Sequence, residues 1–169
     1  EVSSREQLRD ALKAHEAKLG GPCFAEAFIE GREFNMSILA GGGNPLILPP
    51  AEIRFNDYPP DKPKIVTYRA KWDEESFEYQ NIIASFDFQE YDAELIENLK
   101  AMSGRCWDLF SLRGYARVDF RIDQEGIPWV MEVNINPCLS PDGGYAWAVE
   151  EAGLTFNDAI DRIVKDSLK

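Results

Sequence analysis

The sequence predicts an α+β fold built on a largely antiparallel sheet. Three observations carry that expectation. Strand-like and helix-like runs are mixed without regular strand–helix–strand alternation, which argues against a parallel, doubly wound sheet. Strand-like runs are joined directly by short turns such as Glu30-Gly31-Arg32 and Asp123-Gln124-Glu125-Gly126. The 169 residues, 44% hydrophobic and 28% charged, suit one domain, or one domain plus a small lobe, with a sizeable core.

The elements follow in order. Residues 3–18 read as a helix, with Ser3 and Glu6 as a capping box, a thin stripe of Leu8, Leu12 and Leu19, and Gly20-Gly21-Pro22 as its stop. Strand-like runs at Cys23–Ile29 and Glu33–Leu39 come next. Gly41–Asn44 reads as a turn, Pro45–Leu48 as a short strand and Pro49–Pro63 as a proline-punctuated loop. Residues 64–68 read as a strand, and Lys71–Ala84 as irregular and acidic. Residues 92–112 give the clearest helix: Asp92 is placed to cap it, and Leu95, Leu99, Met102, Cys106 and Leu109 share a face. Two strands at 115–122 and 128–135 and two helices at 144–152 and 156–168 complete the chain.

Composition narrows the function. A formal charge of −12 repels phosphate backbones, so nucleic acid is not expected as a partner, and any anionic ligand needs local cations or a metal. Cys23, Cys106 and Cys138 are odd in number and lack CxxC spacing, so neither a disulfide framework nor a zinc site is indicated. His15 is the only histidine, which disfavours His-based catalysis. No apolar run approaches the roughly 18–20 residues of a membrane helix. The polar start predicts no signal peptide and a cytoplasmic setting; a first residue other than Met suggests a piece of a longer chain.

The informative segment is Gly114–Pro137. Ala116, Val118, Phe120 and Ile122 alternate with Arg117, Asp119 and Arg121; after the turn, Trp129, Met131, Val133 and Ile135 alternate with Glu132 and Asn134. Side chains alternate between faces along a strand. A two- or four-residue turn centred on Gln124-Glu125 would set Arg117 opposite Glu132 and Asp119 opposite Val130. Arg117, Asp119, Glu132 and Asn134 then share one face, with Val118, Phe120, Met131 and Val133 on the core side. Mg²⁺ takes hard oxygen ligands, commonly one or two carboxylates plus phosphate oxygens, and Asp119, Glu132 and the Asn134 amide supply such a set. Arg117 would neutralise a phosphate or developing oxyanion beside it. A solvated sheet face with a cross-strand Arg–Glu pair would show the same alternation.

At Ala116-Arg-Val-Asp-Phe-Arg and Met131-Glu-Val-Asn-Ile-Asn-Pro the chain resembles the metal-binding signature of the ATP-grasp superfamily, nearest to D-alanine–D-alanine ligases. The resemblance runs over residues 1–169. It implies an ATP-grasp C-terminal region: residues 1–28 as a remnant of the lid subdomain and 29–169 as the metal- and nucleotide-binding subdomain. It further implies two Mg²⁺ ions (Mn²⁺ as an alternative) held by Asp119, Glu132 and Asn134, with Arg117 on phosphate and the tetrahedral intermediate. Phe24-Ala-Glu-Ala-Phe-Ile-Glu-Gly-Arg-Glu-Phe resembles the hinge that recognises ATP. There Glu26 would take the adenine amino group, the Phe28–Ile29 backbone would pair with the base edge and Glu33 would bind the ribose hydroxyls. Tyr68-Arg-Ala-Lys71-Trp resembles the segment whose lysine reaches the phosphates.

The implied activity is ATP-dependent joining of a small-molecule carboxylate to an amine through an acyl phosphate, with Lys71 and Arg117 as catalytic cations. The lid's glycine-rich loop and its lysine are expected upstream, so this piece alone is expected not to ligate. The N-terminal portion of the same protein is the implied partner, and a homo-oligomer is compatible with the sequence. The match departs from D-alanine–D-alanine ligases after Asn-x-x-Pro. Cys138 replaces a glycine, and Leu139-Ser-Pro-Asp-Gly-Gly-Tyr replaces the segment that grips the second D-alanine. Two rival readings are a non-catalytic ATP- or metal-binding regulatory module and a purely structural domain.

Overall fold

The computed structural model describes residues 2–168, and it is α+β. Helix α1 (Arg5–Leu19) is capped by Ser4, whose side chain accepts from Gln7 N. Gln7 returns the favour by accepting from Ser3 N at 2.8 Å. The cap is therefore Ser4, one residue later than expected, and because Gln7 reaches Ser3 N rather than the N–H of Ser4, the reciprocal box expected of Ser3 and Glu6 does not form. Gly20, with φ 68°, ends the helix.

Six strands follow: β1 (Arg32–Leu39), β2 (Leu46–Ile47), β3 (Ala51–Phe55), β4 (Ile82–Ser85), β5 (Tyr115–Ile122) and β6 (Pro128–Asn134). They form one sheet in the order β4-β3-β1-β5-β6, with β2 beside the end of β1, and every pairing is antiparallel. The other helices are α2 (Tyr68–Trp72), α3 (Phe77–Asn81), α4 (Ala93–Leu109), α5 (Gly144–Glu151) and α6 (Phe156–Ser167).

Two layers of helix cover the sheet. On one face Phe34, Met36 and Ile38 of β1 and Val118, Phe120 and Ile122 of β5 pack under Leu99 of α4, all nearly or fully inaccessible. On the other face, toward one end, Leu39 and Leu48 pack with Tyr145, Ala148 and Val149 of α5 and Ala159 of α6. The Tyr145 hydroxyl donates to the Ile38 carbonyl at 2.9 Å, which tethers α5 to the central strand. The rest of that second face is polar.

The structure corrects several sequence expectations. Cys23–Ile29 is not a strand: it pairs with no neighbour, and an extended run without a ladder partner is not a strand however apolar its pattern. Residues 64–67 are irregular, and a helix starts at Tyr68, capped by Thr67. The loop expected at 49–63 contains β3, which begins directly after Pro49-Pro50 and pairs with both β1 and β4. The stretch 71–84 holds α3, capped by Ser76, and β4. Asp92 does not cap α4; its carboxylate receives the Arg32 guanidinium at 2.5 Å. Leu109 belongs to α4 but is 79% exposed, off the buried face.

The hairpin register also differs. Arg117 faces Asn134, Val118 faces Val133 and Asp119 faces Glu132; then, past an irregularity, Phe120 faces Val130 and Arg121 faces Trp129. The loop between paired Ile122 and Pro128 spans five residues, not two or four. Asp123 organises it, its carboxylate accepting from Glu125 N, Ile127 N and Trp129 Nε1. An odd loop reverses the parity of the pairing, and a bulge at Met131 restores it. The polar residues recover a common face; Met131 becomes half-exposed rather than core, and Trp129 moves to the polar face.

Candidate functional site

Directly paired residues in an antiparallel sheet project to the same side. On the polar face, β1, β5 and β6 therefore build three successive rows: Ser37–Arg117–Asn134, Asn35–Asp119–Glu132 and Glu33–Arg121–Trp129. Nothing local forces this clustering. Each strand supplies one polar residue in two, and the registers of two separate pairings align them.

The middle row holds the carboxylates. Asp119 is 7% exposed, while Glu132, on the edge strand, is open to solvent. Arg117 reaches along its own strand and donates from Nε and Nη2 to the two oxygens of Asp119, at 2.6 and 2.7 Å. Burial works against the Arg117 charge. The hydrogen bonds it donates to Asp119, helped by the charges of Asp119, Glu132 and Glu33, outweigh it and raise its pKa, so the group stays a cation. Asn134 Oδ1 accepts from Asn136 N at 2.9 Å, which fixes the amide with its oxygen already oriented, and Tyr115 OH donates to Asn136 Oδ1 at 2.6 Å. Among the described residues no group of three or more His, Cys, Asp or Glu side chains converges. The donor set is two carboxylates and an amide, all hard oxygens. Such a set suits Mg²⁺, which leaves positions for phosphate oxygens.

The third row meets the segment before β1. Arg121 Nε donates to the Ile29 carbonyl at 2.9 Å, and Nη1 donates to Glu33 Oε2 at 3.0 Å and to the Lys64 carbonyl at 2.9 Å. The Phe28 ring lies 5.0 Å from the guanidinium carbon. Burial pushes the Glu33 carboxyl up, and Arg121 opposes that shift. The chain enters this row through Gly31, whose φ is 149°; a Cβ there would lie 1.8 Å from the Ile122 carbonyl oxygen, so no other residue allows the approach.

The structure thus brings Phe28, Ile29 and Glu33 together at one end of the polar face, and Arg117, Asp119, Glu132 and Asn134 at its centre. Two of the sequence candidates stand apart. Glu26 is exposed on the irregular segment 20–31. Lys71 is exposed on α2, and among the described residues no ion pair joins it to Asp119 or Glu132. Arg121 joins the third row, although strand alternation alone assigns it no partner there. Its partners Ile29, Glu33 and Lys64 lie 92, 88 and 57 positions away, a distance that strand alternation cannot bridge. After β6 the loop turns at Pro137, which is buried; Cys138 is exposed, and the Ser140 hydroxyl donates to Asp142. Among the described residues, no helix is long and apolar enough to cross a membrane.

Comparison with known proteins bears on the family and the fold. The family model described as "D-ala D-ala ligase C-terminus" matches residues 1–165. A D-alanine–D-alanine ligase of Maridesulfovibrio salexigens is 31% identical over 147 residues, covering 87% of this chain and 44% of that protein. A solved D-alanine–D-alanine ligase of Bacillus anthracis superposes with TM-score 0.74 at 28% identity, covering 99% of this chain and 49% of its own. A structure of a ligase from the same organism complexed with ATP gives TM-score 0.71 at 24% identity, which speaks to fold alone. The chain spans about half the length of the relatives it matches.

Proposed function

The chain belongs to the D-ala D-ala ligase C-terminal family, and we propose that it is the Mg·ATP-holding part of an ATP-grasp carboxylate–amine ligase. The observation that carries the reading is the middle row, where two strand registers bring Asp119 beside Glu132, with Asn134 and Arg117 in the adjoining row. Hard-oxygen donors next to a guanidinium are what a triphosphate and its metal require. Asp119, Glu132 and Asn134 would hold Mg²⁺, which when bound offsets charge on the transferring phosphoryl group.

This chain's own residues supply the rest. Arg117, paired with Asp119 here, keeps its charge, so that once turned from Asp119 it can neutralise phosphate oxygens as a carboxylate substrate attacks the γ-phosphate and as an amine then attacks the acyl phosphate. Glu33, held by Arg121, is oriented toward the ribose hydroxyls, with Phe28 and Ile29 beside the base; Glu26 and Lys71 would reach the base and the phosphates once the segments bearing them close over the ligand. The relatives named above act on D-alanine. In this chain the loop Cys138–Tyr145 departs from the pattern that the resemblance implies, and the acceptor amine is what the panel below identifies.

The test is a phosphate-release assay on the full-length protein with Mg·ATP, run across a panel of amino acids and small carboxylates. Release that requires both a carboxylate and an amine, and that falls at least tenfold in Glu132→Gln through loss of a charged ligand, is expected. Turnover that is unaffected by Glu132→Gln contradicts the assignment.

A further inference from the structure

Among the described buried side-chain polar atoms, only Tyr58 OH and Arg121 Nη2 lack a hydrogen-bond partner. Tyr58 sits in an aromatic group with Phe55 and Phe77, under Lys62, away from the polar rows. Arg121 is different. Its side chain is 4% exposed, its Nε and Nη1 make three hydrogen bonds, and its Nη2 makes none. A buried donor left unmade costs about 1–3 kcal/mol, so it calls for an explanation. An ion pair with Glu33 needs only Nη1. What covers the guanidinium is the Phe28 ring, and Phe28 is 48% exposed on a segment with no regular structure.

We infer that Arg121 is the platform for the nucleobase and a determinant of nucleotide binding. It takes a planar heteroaromatic base on its flat guanidinium face, where Phe28 now lies, and gives its free Nη2 to an acceptor on the nucleoside. The inference rests on the nucleotide reading above and extends it. Guanidinium planes stack on aromatic faces and present donors in a fixed in-plane fork. Phe28 holds the aromatic position over the guanidinium, so the surface that would carry a base is already formed. Glu33, on the neighbouring nitrogen, places the ribose on the same side. An apolar floor would stack a base as well, but only the guanidinium ties the base platform to Glu33, to the Ile29 carbonyl and to the Lys64 carbonyl at once.

The experiment compares Mg·ATP with Mg·tripolyphosphate, which has no base or ribose, by calorimetric titration of the full-length protein. Wild type, Arg121→Met and Arg121→Lys are titrated, with thermal unfolding as the check on folding. Arg121→Met should weaken ATP binding about tenfold, one stacking and one charge-assisted contact, and leave tripolyphosphate within twofold. Arg121→Lys, which keeps the charge and loses the fork, should fall between. If Arg121→Met does not fold, Arg121→Gln carries the test: it keeps a planar polar group without the charge or the fork, and should weaken ATP about threefold while leaving tripolyphosphate within twofold. Unchanged ATP affinity in the folded variants, or equal loss for both ligands, overturns the inference while leaving the nucleotide reading in place. A wild type that binds tripolyphosphate but not ATP, or neither, removes the nucleotide reading and the inference together.

Discussion

Residues 2–31 and residues 32–168 make opposite kinds of structure from similar sequence signals. Helix α1 has good caps at both ends, yet buries none of its residues; Leu19, Phe24 and Phe28 are 68%, 80% and 48% exposed. The body has weaker local signals in places, with two five-residue helices and a two-residue strand, yet Phe34, Val118 and Phe120 are fully inaccessible. Caps and periodicity decide where an element forms. Packing decides how firmly it is held, because an isolated helix of this length is marginal in water. The contrast also divides the proposed site: its metal-holding rows are fixed by the sheet, while Glu26 and Phe28 ride on the looser region.

The largest effect should separate the two regions most clearly. Phe120→Ala, in the core beneath α4, should destabilise the body by about 3–5 kcal/mol. Leu12→Ala in α1 should change global stability by less than about 0.5 kcal/mol. Urea unfolding of both variants checks this, and similar losses would mean that α1 is part of the cooperative core.

A second effect is a pH dependence confined to the body. Arg32 holds the Asp92 carboxyl below its ordinary value, mainly through the side-chain hydrogen bond. A depressed folded pKa gives stability that is present above the unfolded value, near 4, and is lost as pH falls through the folded one. Asp92→Asn should therefore cost on the order of 1 kcal/mol at neutral pH, since Arg32 is partly exposed, and its difference from wild type should shrink below about pH 4. Unfolding midpoints from pH 2 to 7 read this directly.

The smallest global effect belongs to Ser4→Ala. Loss of the cap should cost about 1 kcal/mol within α1, visible as faster amide exchange in its first turns, with the body's unfolding midpoint unchanged.

The same contrast governs what the sequence reveals. The common polar face of Arg117, Asp119, Glu132 and Asn134 is legible because alternation has a period of two and one face is buried. The bulge at Met131 is not, because it depends on how Asp123 closes a five-residue loop. Helices α2 and α3 are too short to show a period, although Thr67 and Ser76 are cap residues standing at their starts. β3 is masked by Pro49-Pro50, which fit the strand's entrance because they lie just outside its ladder. Arg121 joins segments far apart in the chain, and only the tertiary fold brings them together.

The middle row and its neighbours are proposed to hold the metal of a bound nucleotide. The direct measurement is a crystal structure of the protein with Mn²⁺ and a non-hydrolysable ATP analogue, with the metal located by its anomalous signal. A peak is expected in contact with Asp119, Glu132 and Asn134 oxygens, with Arg117 turned from Asp119 toward the phosphates. A metal bound elsewhere, with Arg117 still closed on Asp119 beside an ordered nucleotide, would contradict it.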